Sequence, residues 1–421
     1  MKTNETTPIP QGYKATPLGV IPQEWEVRRF RDVGNFLRNN TLSRDKMSES
    51  DGCVQNIHYG DVLIKYREIL NVSRTNIPWI VGNSKDSPLG DMLQDGDIII
   101  SDTAEDYTVG KATELLEING ASVVAGLHTM PFRPLSNLFS PCFLGYYLNS
   151  MAYRFQLYAL IQGIKVCAIS KKAMSGTFLI VPPLAEQKKI AEVLGVWDKA
   201  IEKQSQLIEQ LTLRKRGLMQ QLLTGKKRLP GFSGEWRKEK AGSIFENSSV
   251  RSNKLEPLLS ATQEYGVVPR DMLETRVTMP SGNLSSFKRV DIGDFVISLR
   301  SFEGGIEYSK YSGIVSPAYT VLKKKHNVND IFYKAYFKSH EFIQRLAIAV
   351  IGIRDGKQIS YSDFCYIRIP LPSFEEQTAI AQVLTAADRE IELAQQKLEL
   401  LRQQKRGLMQ QLLTGKKRVK L

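Results

Sequence analysis

The chain carries one long segment twice. Residues 186–228 read EQKKIAEVLGVWDKAIEKQSQLIEQLTLRKRGLMQQLLTGKKR, and residues 376–418 read EQTAIAQVLTAADREIELAQQKLELLRQQKRGLMQQLLTGKKR. The offset is 190 throughout, without a gap, and 26 of the 43 positions are identical. The stretch KRGLMQQLLTGKKR is the same in both. Whatever element the first copy forms, the second must form as well, and a repeat that cannot bury its own apolar side needs a neighbour to bury it.

Each copy reads as one long helix. Ile190, Leu194, Trp197, Ile201, Ile208 and Leu211 recur at steps of three, four or seven, followed by Leu218 and Leu222. Ile380, Leu384, Ala387, Ile391, Leu398 and Leu401 repeat the pattern, followed by Leu408 and Leu412. A near-heptad apolar stripe of this kind is the seam of a coiled coil, and two copies in one chain can pair with each other. Pro182-Pro183 and Pro372-Ser373 mark the starts, with Ser373 and Glu376 spaced as a capping box. Thr224-Gly225 and Thr414-Gly415 mark the stops, where glycine can take the left-handed conformation. About 38 residues at ~1.5 Å each predict rods of roughly 57 Å.

Two long segments that do not repeat, about 26–180 and 237–370, nevertheless share landmarks. Each follows a turn-rich stretch ending in tryptophan, LGVIPQEW to Trp25 and LPGFSGEW to Trp236. Each has a Gly-Asp before a β-like run (Gly96-Asp97 into IIIS, Gly293-Asp294 into FVIS) and an Ile-Ser before a strand with a proline-rich exit (Ile169-Ser170, Ile359-Ser360). The runs DIIIS, DFVIS, FLIV and YIRI favour strands. Stretches 139–161 and 331–350 carry aromatic and aliphatic residues at helical spacing and are expected to pack on those sheets. The expected fold is α+β: two mixed globules of shared fold and divergent surface, alternating with two long helices that pair antiparallel. The boundaries read as an N-terminal segment 1–25, a first globule 26–181, a central helix 182–225, a linker 226–236, a second globule 237–371, and a C-terminal helix with a basic tail 372–421.

Composition adds a partner. With 57 lysines and arginines against 44 acidic residues, the chain carries a formal charge of +13, which suits an anionic partner such as nucleic acid. No secretory pattern and no long apolar run is present, so a cytoplasmic protein without membrane spans is expected. Cys53, Cys142, Cys167 and Cys365 are scattered, without a CxxC pair, and read as reduced, buried thiols.

The order of variable domain, conserved helix, variable domain and conserved helix, with its identical KRGLMQQLLTGKKR endings, closely resembles the specificity subunit of type I restriction-modification systems. The resemblance covers essentially the whole chain. It implies two target-recognition domains, each reading one half of a split, asymmetric site in double-stranded DNA. It also implies that the paired helices act as spacer and docking surface for two methyltransferase subunits, with restriction subunits joining that core. S-adenosylmethionine, ATP and magnesium would then serve the partner subunits, not this chain. Shared helices and divergent globules support the same division of labour physically, because a rigid rod fixes the distance between half-sites.

Base-reading candidates are basic or amide residues in glycine-containing loops, since arginine and lysine pair with guanine and glutamine with adenine. In the first globule these are Lys111, Gln162 and Lys165; in the second, Arg300, Arg354, Lys357 and Gln358. The loops at Lys165 and at Arg354–Gln358 both precede the shared Ile-Ser, which makes them equivalent places. The GKKR endings suit either phosphate contact or helix capping by positive charge. Tyr107, Tyr146, Tyr147, Phe155, Phe332, Tyr333 and Phe337 are expected in the core.

Catalysis finds no support. There is no GxxxxGK[ST] loop and no GxGxxG fingerprint. Val181-Pro182-Pro183-Leu184 resembles the Pro-Pro tetrapeptide of amino-methyltransferases only superficially, lacking the leading Asn or Asp and the following aromatic. His58, His128, His326 and His340 stand alone, and Glu186-Gln187-Lys188 lies on a helix. The competing readings are a coiled-coil adaptor with two globular heads and no DNA specificity, and the recognition subunit of another DNA-methylating system.

Overall fold

A computed structural model describes residues 9–81, 89–251, 256–273, 284–299, 301–350 and 359–421. The chain forms two compact units that do not divide at the helix starts. The first comprises residues 1–203 together with 398–421, and the second comprises 204–397. Each therefore holds one globule, part of the central helix and part of the last helix.

In the first unit, strands Gly34–Phe36, Thr129–Pro134, Ile98–Ser101, Ala112–Leu116 and Ile69–Asn71 form a five-stranded sheet in that order. A four-stranded sheet runs Val123–Ala125, Gln55–Ile57, Trp79–Ile80, Met47–Ser48. Ile98, Ile99 and Ile100 are all buried, so the IIIS run is the central strand the β-branched residues suggested. Phe178–Val181, the predicted FLIV strand, pairs antiparallel with Glu26–Arg29 and leads into the central helix. The second unit repeats the scheme in smaller form. Its four-stranded sheet runs Phe245–Ser248, Thr320–Lys324, Phe295–Ile297, Glu307–Tyr308. Arg368–Leu371 pairs with Arg237–Lys240 and leads into the last helix.

The shared landmarks have shared jobs. Asp97 and Asp294 follow glycines at φ 87° and 92°, and each folds its carboxylate back onto its own turn, accepting from the N–H of Gln94 and of Asp291 (2.8 Å each). Each is then paired with a cation from a neighbouring strand, Arg133 at 2.7 Å and Lys323 at 2.8 Å. Burial raises the Asp294 carboxyl above its usual range, with Lys323 opposing. The Ile-Ser pair works as a core plug and an N-cap. Ile169 and Ile359 are buried, while Ser170 and Ser360 accept from Ala173 and Asp363 N–H at helix starts.

The stretches predicted helical each break into two short helices at a serine. These are Phe143–Asn149 and Met151–Tyr158 around Ser150, and Asp330–Phe337 and His340–Val350 around Ser339. Tyr146, Tyr147, Phe332, Tyr333 and Phe337 are core residues as expected. Tyr107 and Phe155 are not: they are 69% and 74% exposed. Phe155 sits on the outer face of its helix, where helical spacing carries it away from buried Tyr153 and Leu157. The four cysteines are free, but only Cys167 is buried and Cys53 is exposed, so the expectation of four buried thiols fails.

The duplicated segments form helices Leu184–Leu222 and Phe374–Leu412, each of 39 residues. Both end at a glycine with φ 71°, Gly225 and Gly415. Ser373 does cap the last helix, accepting from Glu376 N–H at 3.2 Å. The Glu376 carboxylate is engaged elsewhere, with Arg228 and Trp236. Of the proposed seam, Ile190, Leu194, Ile201, Ile380 and Leu384 are buried; Trp197, Ile208, Leu211, Ile391, Leu398 and Leu401 are half-buried. Among the described residues, no helix is long and apolar enough to cross a membrane.

Candidate nucleic-acid interface

Each unit is closed by the same three side chains. In the first, buried Glu186 accepts from the indole N–H of Trp25 (2.8 Å) and from Arg418, whose Nε stands 3.0 Å away and whose guanidinium lies over the Trp25 ring. In the second, buried Glu376 accepts from Trp236 Nε1 (2.9 Å) and from Arg228 Nε and Nη2 (2.5 and 2.6 Å), with Arg228 over the Trp236 ring. Glu186 and Glu376 are 190 apart, as are Arg228 and Arg418. The arginine of GKKR is thus committed to a buried carboxylate in both copies, which neither helix capping nor phosphate contact anticipated. Lys226, Lys227, Lys416 and Lys417 remain exposed.

A second reciprocal pair lies midway along the helices. In the first unit Lys405 Nζ stands 2.7 Å from Asp198 and 3.1 Å from Glu68, above the ring of Tyr146, whose hydroxyl donates to Asp198. In the second, Lys215 pairs with Asp388 and Arg214 with Glu390 (3.4 Å). Asp198 and Lys405 become Asp388 and Lys215 under the 190-residue offset. In the first unit Asp198 of the central helix meets Lys405 of the last helix, with Glu186 reaching Arg418 beyond its end; in the second, Gln204 meets Ala394 and Lys215 meets Asp388.

On this frame the first globule presents a protruding hairpin. Gln162 and Ala168 exchange backbone hydrogen bonds (3.0 and 2.8 Å), and Thr103–Ala104 pairs with Cys167–Ala168 to anchor the base. Gly163 has φ 92°, and a Cβ there would sit 2.0 Å from the Val166 carbonyl oxygen, so the tight turn requires glycine. The turn leaves Lys165 and Gln162 exposed, together with Ile164 (97%) and Val166 (57%). Beside the base, His128 has a left-handed backbone (φ 55°) and holds Nδ1 3.3 Å from both Asp102 Oδ1 and Thr103 Oγ1. Exposed cation, amide, imidazole and apolar groups side by side suit contact with base edges and phosphates.

The structure separates the sequence candidates. Gln162 and Lys165 lie together on the hairpin. Lys111 does not join them: its ammonium donates to Leu63 O (2.8 Å) in the short helix Tyr59–Ile64, and burial pulls its pKa down. Arg300, Arg354, Lys357 and Gln358 lie outside the described residues. Sequence reasoning missed the exposed Ile164 and Val166 and the Glu-Trp-Arg closures. The closures were signalled by Trp25, Trp236 and the repeated Glu and Arg standing at matching landmarks.

A family model for the type I restriction modification DNA specificity domain matches twice, over residues 22–213 and 234–403. The chain is 26% identical over 432 residues to a protein of Methanocaldococcus jannaschii assigned as the MjaX type I restriction enzyme specificity subunit, covering 97% of each. It is 28% identical over 286 residues to the MjaVIII specificity subunit of the same organism, covering 62% of this chain and 66% of that one. In fold it is similar to the S subunit of a type I system from M. genitalium (15% identity, 92% of this chain and 96% of that one, TM-score 0.51). A chain from a structural study of type I complex assembly and conformational transition is also similar (16% identity, 94% and 99% covered, TM-score 0.62). The chain therefore belongs to the type I restriction modification DNA specificity family, as a non-catalytic specificity subunit with two repeated target-recognition domains.

Proposed function

We propose that each recognition domain reads one half of a split, asymmetric DNA site, and that the two long helices pair antiparallel as a coiled-coil spacer on which two methyltransferase subunits dock. The observation that carries this reading is the reciprocal set of closures, Glu186–Trp25–Arg418 and Glu376–Trp236–Arg228, with Asp198–Lys405 and Lys215–Asp388 between the helices. Equivalent frames can receive identical partners, while divergent hairpins and loops read different bases. The half-buried seam residues support helix pairing. Gln162 and Lys165 are base or phosphate contacts for the first half-site; Lys111 is retained only as a weaker candidate because its ammonium is already bonded. Arg300, Arg354, Lys357 and Gln358 are the candidates for the second.

Restriction subunits join the methyltransferase core, and S-adenosylmethionine, ATP and magnesium are bound by those partners in the cytoplasm. Binding to duplexes with one half-site scrambled at a time tests the reading. Arg354→Ala with Lys357→Ala is expected to relax the second half-site and spare the first. Equal loss at both halves would overturn the assignment of domains to half-sites.

A further inference from the structure

The two units treat their repeated lysine differently. In the first, Lys405 is 7% exposed and lies between two carboxylates, Asp198 on the central helix and Glu68 from the globule. In the second, its counterpart Lys215 has Asp388 alone as its ion-pair partner among the described residues, and is 27% exposed. Where the first unit brings in Glu68 its groove is narrowed to about 260 Å3, while that of the second is about 660 Å3.

Five cations and four carboxylates line that groove, and two of the cations, Lys310 and Lys334, have no ion-pair partner among the described residues. Counting back five residues from the helix-break serines Ser150 and Ser339, Gly145 of the first globule corresponds to Lys334 of the second. Lys334 is half-buried over the ring of Tyr308, at 5.6 Å from its centroid. No carboxylate or carbonyl within hydrogen-bond distance of its ammonium is found among the described residues. Asp388, the nearby anion, is already bonded to Lys215. Lys310 is exposed on the same wall; burial disfavours the Lys334 charge most, and Lys310 and Lys215 repel it, with Asp388 opposing. Of the neighbouring acids, Glu264 is exposed at the rim and the others are engaged. Glu307 binds Lys338 at 2.6 Å and Glu392 binds Arg389 at 2.9 Å. Half-buried positive charge with only a ring face and a shared, already bonded carboxylate beside it is costly, and an incoming anion relieves it. The walls are partly apolar, with Met219, Ile331 and Leu384 beside the lysines. That favours a side chain carried on a polypeptide over a phosphate in water.

We propose that this groove receives an aspartate or glutamate side chain of the methyltransferase subunit docked on this half, filling the role that Glu68 plays for Lys405. The proposal rests on the docking reading above. It makes the two docking sites unequal: in one the lysine is paired by the chain's own second carboxylate, and in the other that role falls to the partner's.

The test is zero-length carbodiimide cross-linking of the full chain co-expressed with its methyltransferase subunit, read by peptide mass spectrometry. An amide between Lys334 or Lys310 and a methyltransferase Asp or Glu is expected. Lys310→Gln with Lys334→Gln is expected to weaken binding of the subunit about tenfold at 0.1 M salt, with the difference vanishing near 1 M. An unchanged thermal melt checks that the variant is folded. A complex that forms with unchanged affinity in the variant, or that yields no cross-link at either lysine, overturns the proposal and leaves the docking reading intact. Loss of nonspecific DNA affinity with methyltransferase binding unchanged would also overturn it, assigning the groove to phosphate. If the wild-type chain binds no methyltransferase subunit, the docking reading itself fails, and the groove's assignment with it.

Discussion

Replacing Arg228 by alanine isolates what the repeated GKKR ending does. Glu376 is 2% exposed and accepts three hydrogen bonds, two from Arg228 and one from Trp236. Arg228→Ala leaves a buried carboxylate with a single donor. It also frees the turn carbonyls of Ser233 and Gly234 that the guanidinium holds. Breaking a buried pair from one side costs about 3–5 kcal/mol; with Arg228 21% exposed, water can enter, so we expect about 3 kcal/mol. Arg418→Ala should cost less, about 2 kcal/mol, because Arg418 is 35% exposed and its interaction more screened. Hydrogen exchange in full-length protein reads both units at once. Arg228→Ala should speed exchange through global opening of the second unit by about two decades, at ~1.4 kcal/mol per decade. Joint replacement by apolar residues, Arg228→Met with Glu376→Leu, should restore most of the loss, since no charge is then stranded. A change under about 0.5 kcal/mol for Arg228→Ala, or no recovery in the apolar pair, would refute the reasoning.

Glu114 gives a pH signature. Its carboxyl is buried and pushed up to about 7 by desolvation, with the N–H groups of Cys142 and Gly145 opposing. Because the folded pKa is raised above the unfolded one, its contribution is fully present below about 4.5 and is lost as pH rises through about 7. The loss is up to about 3 kcal/mol, so Glu114→Gln should flatten the stability of the first unit between pH 5 and 8 in urea titrations. Gly163→Ala should collapse the hairpin turn and lower affinity for the first half-site about tenfold or more with the second unaffected, read by fluorescence anisotropy. Lys165→Ala, if this lysine meets a phosphate, should reduce the slope of log affinity against log salt by about one and leave sequence preference unchanged. Leu401→Asp buries a carboxylate in the proposed seam and should abolish the partner complex on size-exclusion chromatography; an unchanged elution would count against helix pairing.

The helices and the strands were legible in the sequence because both are written in side-chain periodicity. The duplicated 43-residue segment and the IIIS and FVIS runs each became the element their pattern implied, whereas the Ile-Ser landmarks, expected before strands, first cap short helices. Less visible was where a charged side chain ends up once the chain closes on itself. Glu376 looked like half of a capping box, and the GKKR arginines looked like phosphate contacts or helix caps. Instead the arginines reach buried carboxylates, Arg228 to Glu376 across 148 residues and Arg418 to Glu186 across 232. Lys111, in a glycine-containing loop, looked like a base reader, but its long stem lets the ammonium reach the end of a neighbouring helix. Tyr107 and Phe155 show the opposite failure: their apolar surface suggested burial, but their position on an outer face decided exposure.

A genome-wide adenine-methylation map of the native host, with this gene intact and deleted and the methyltransferase subunit expressed in both, tests the central claim. The account predicts a split motif with a fixed nonspecific gap that is present with the gene and lost without it. Hairpin substitutions should then alter one half of that motif only. An identical map in the two strains would contradict the claim.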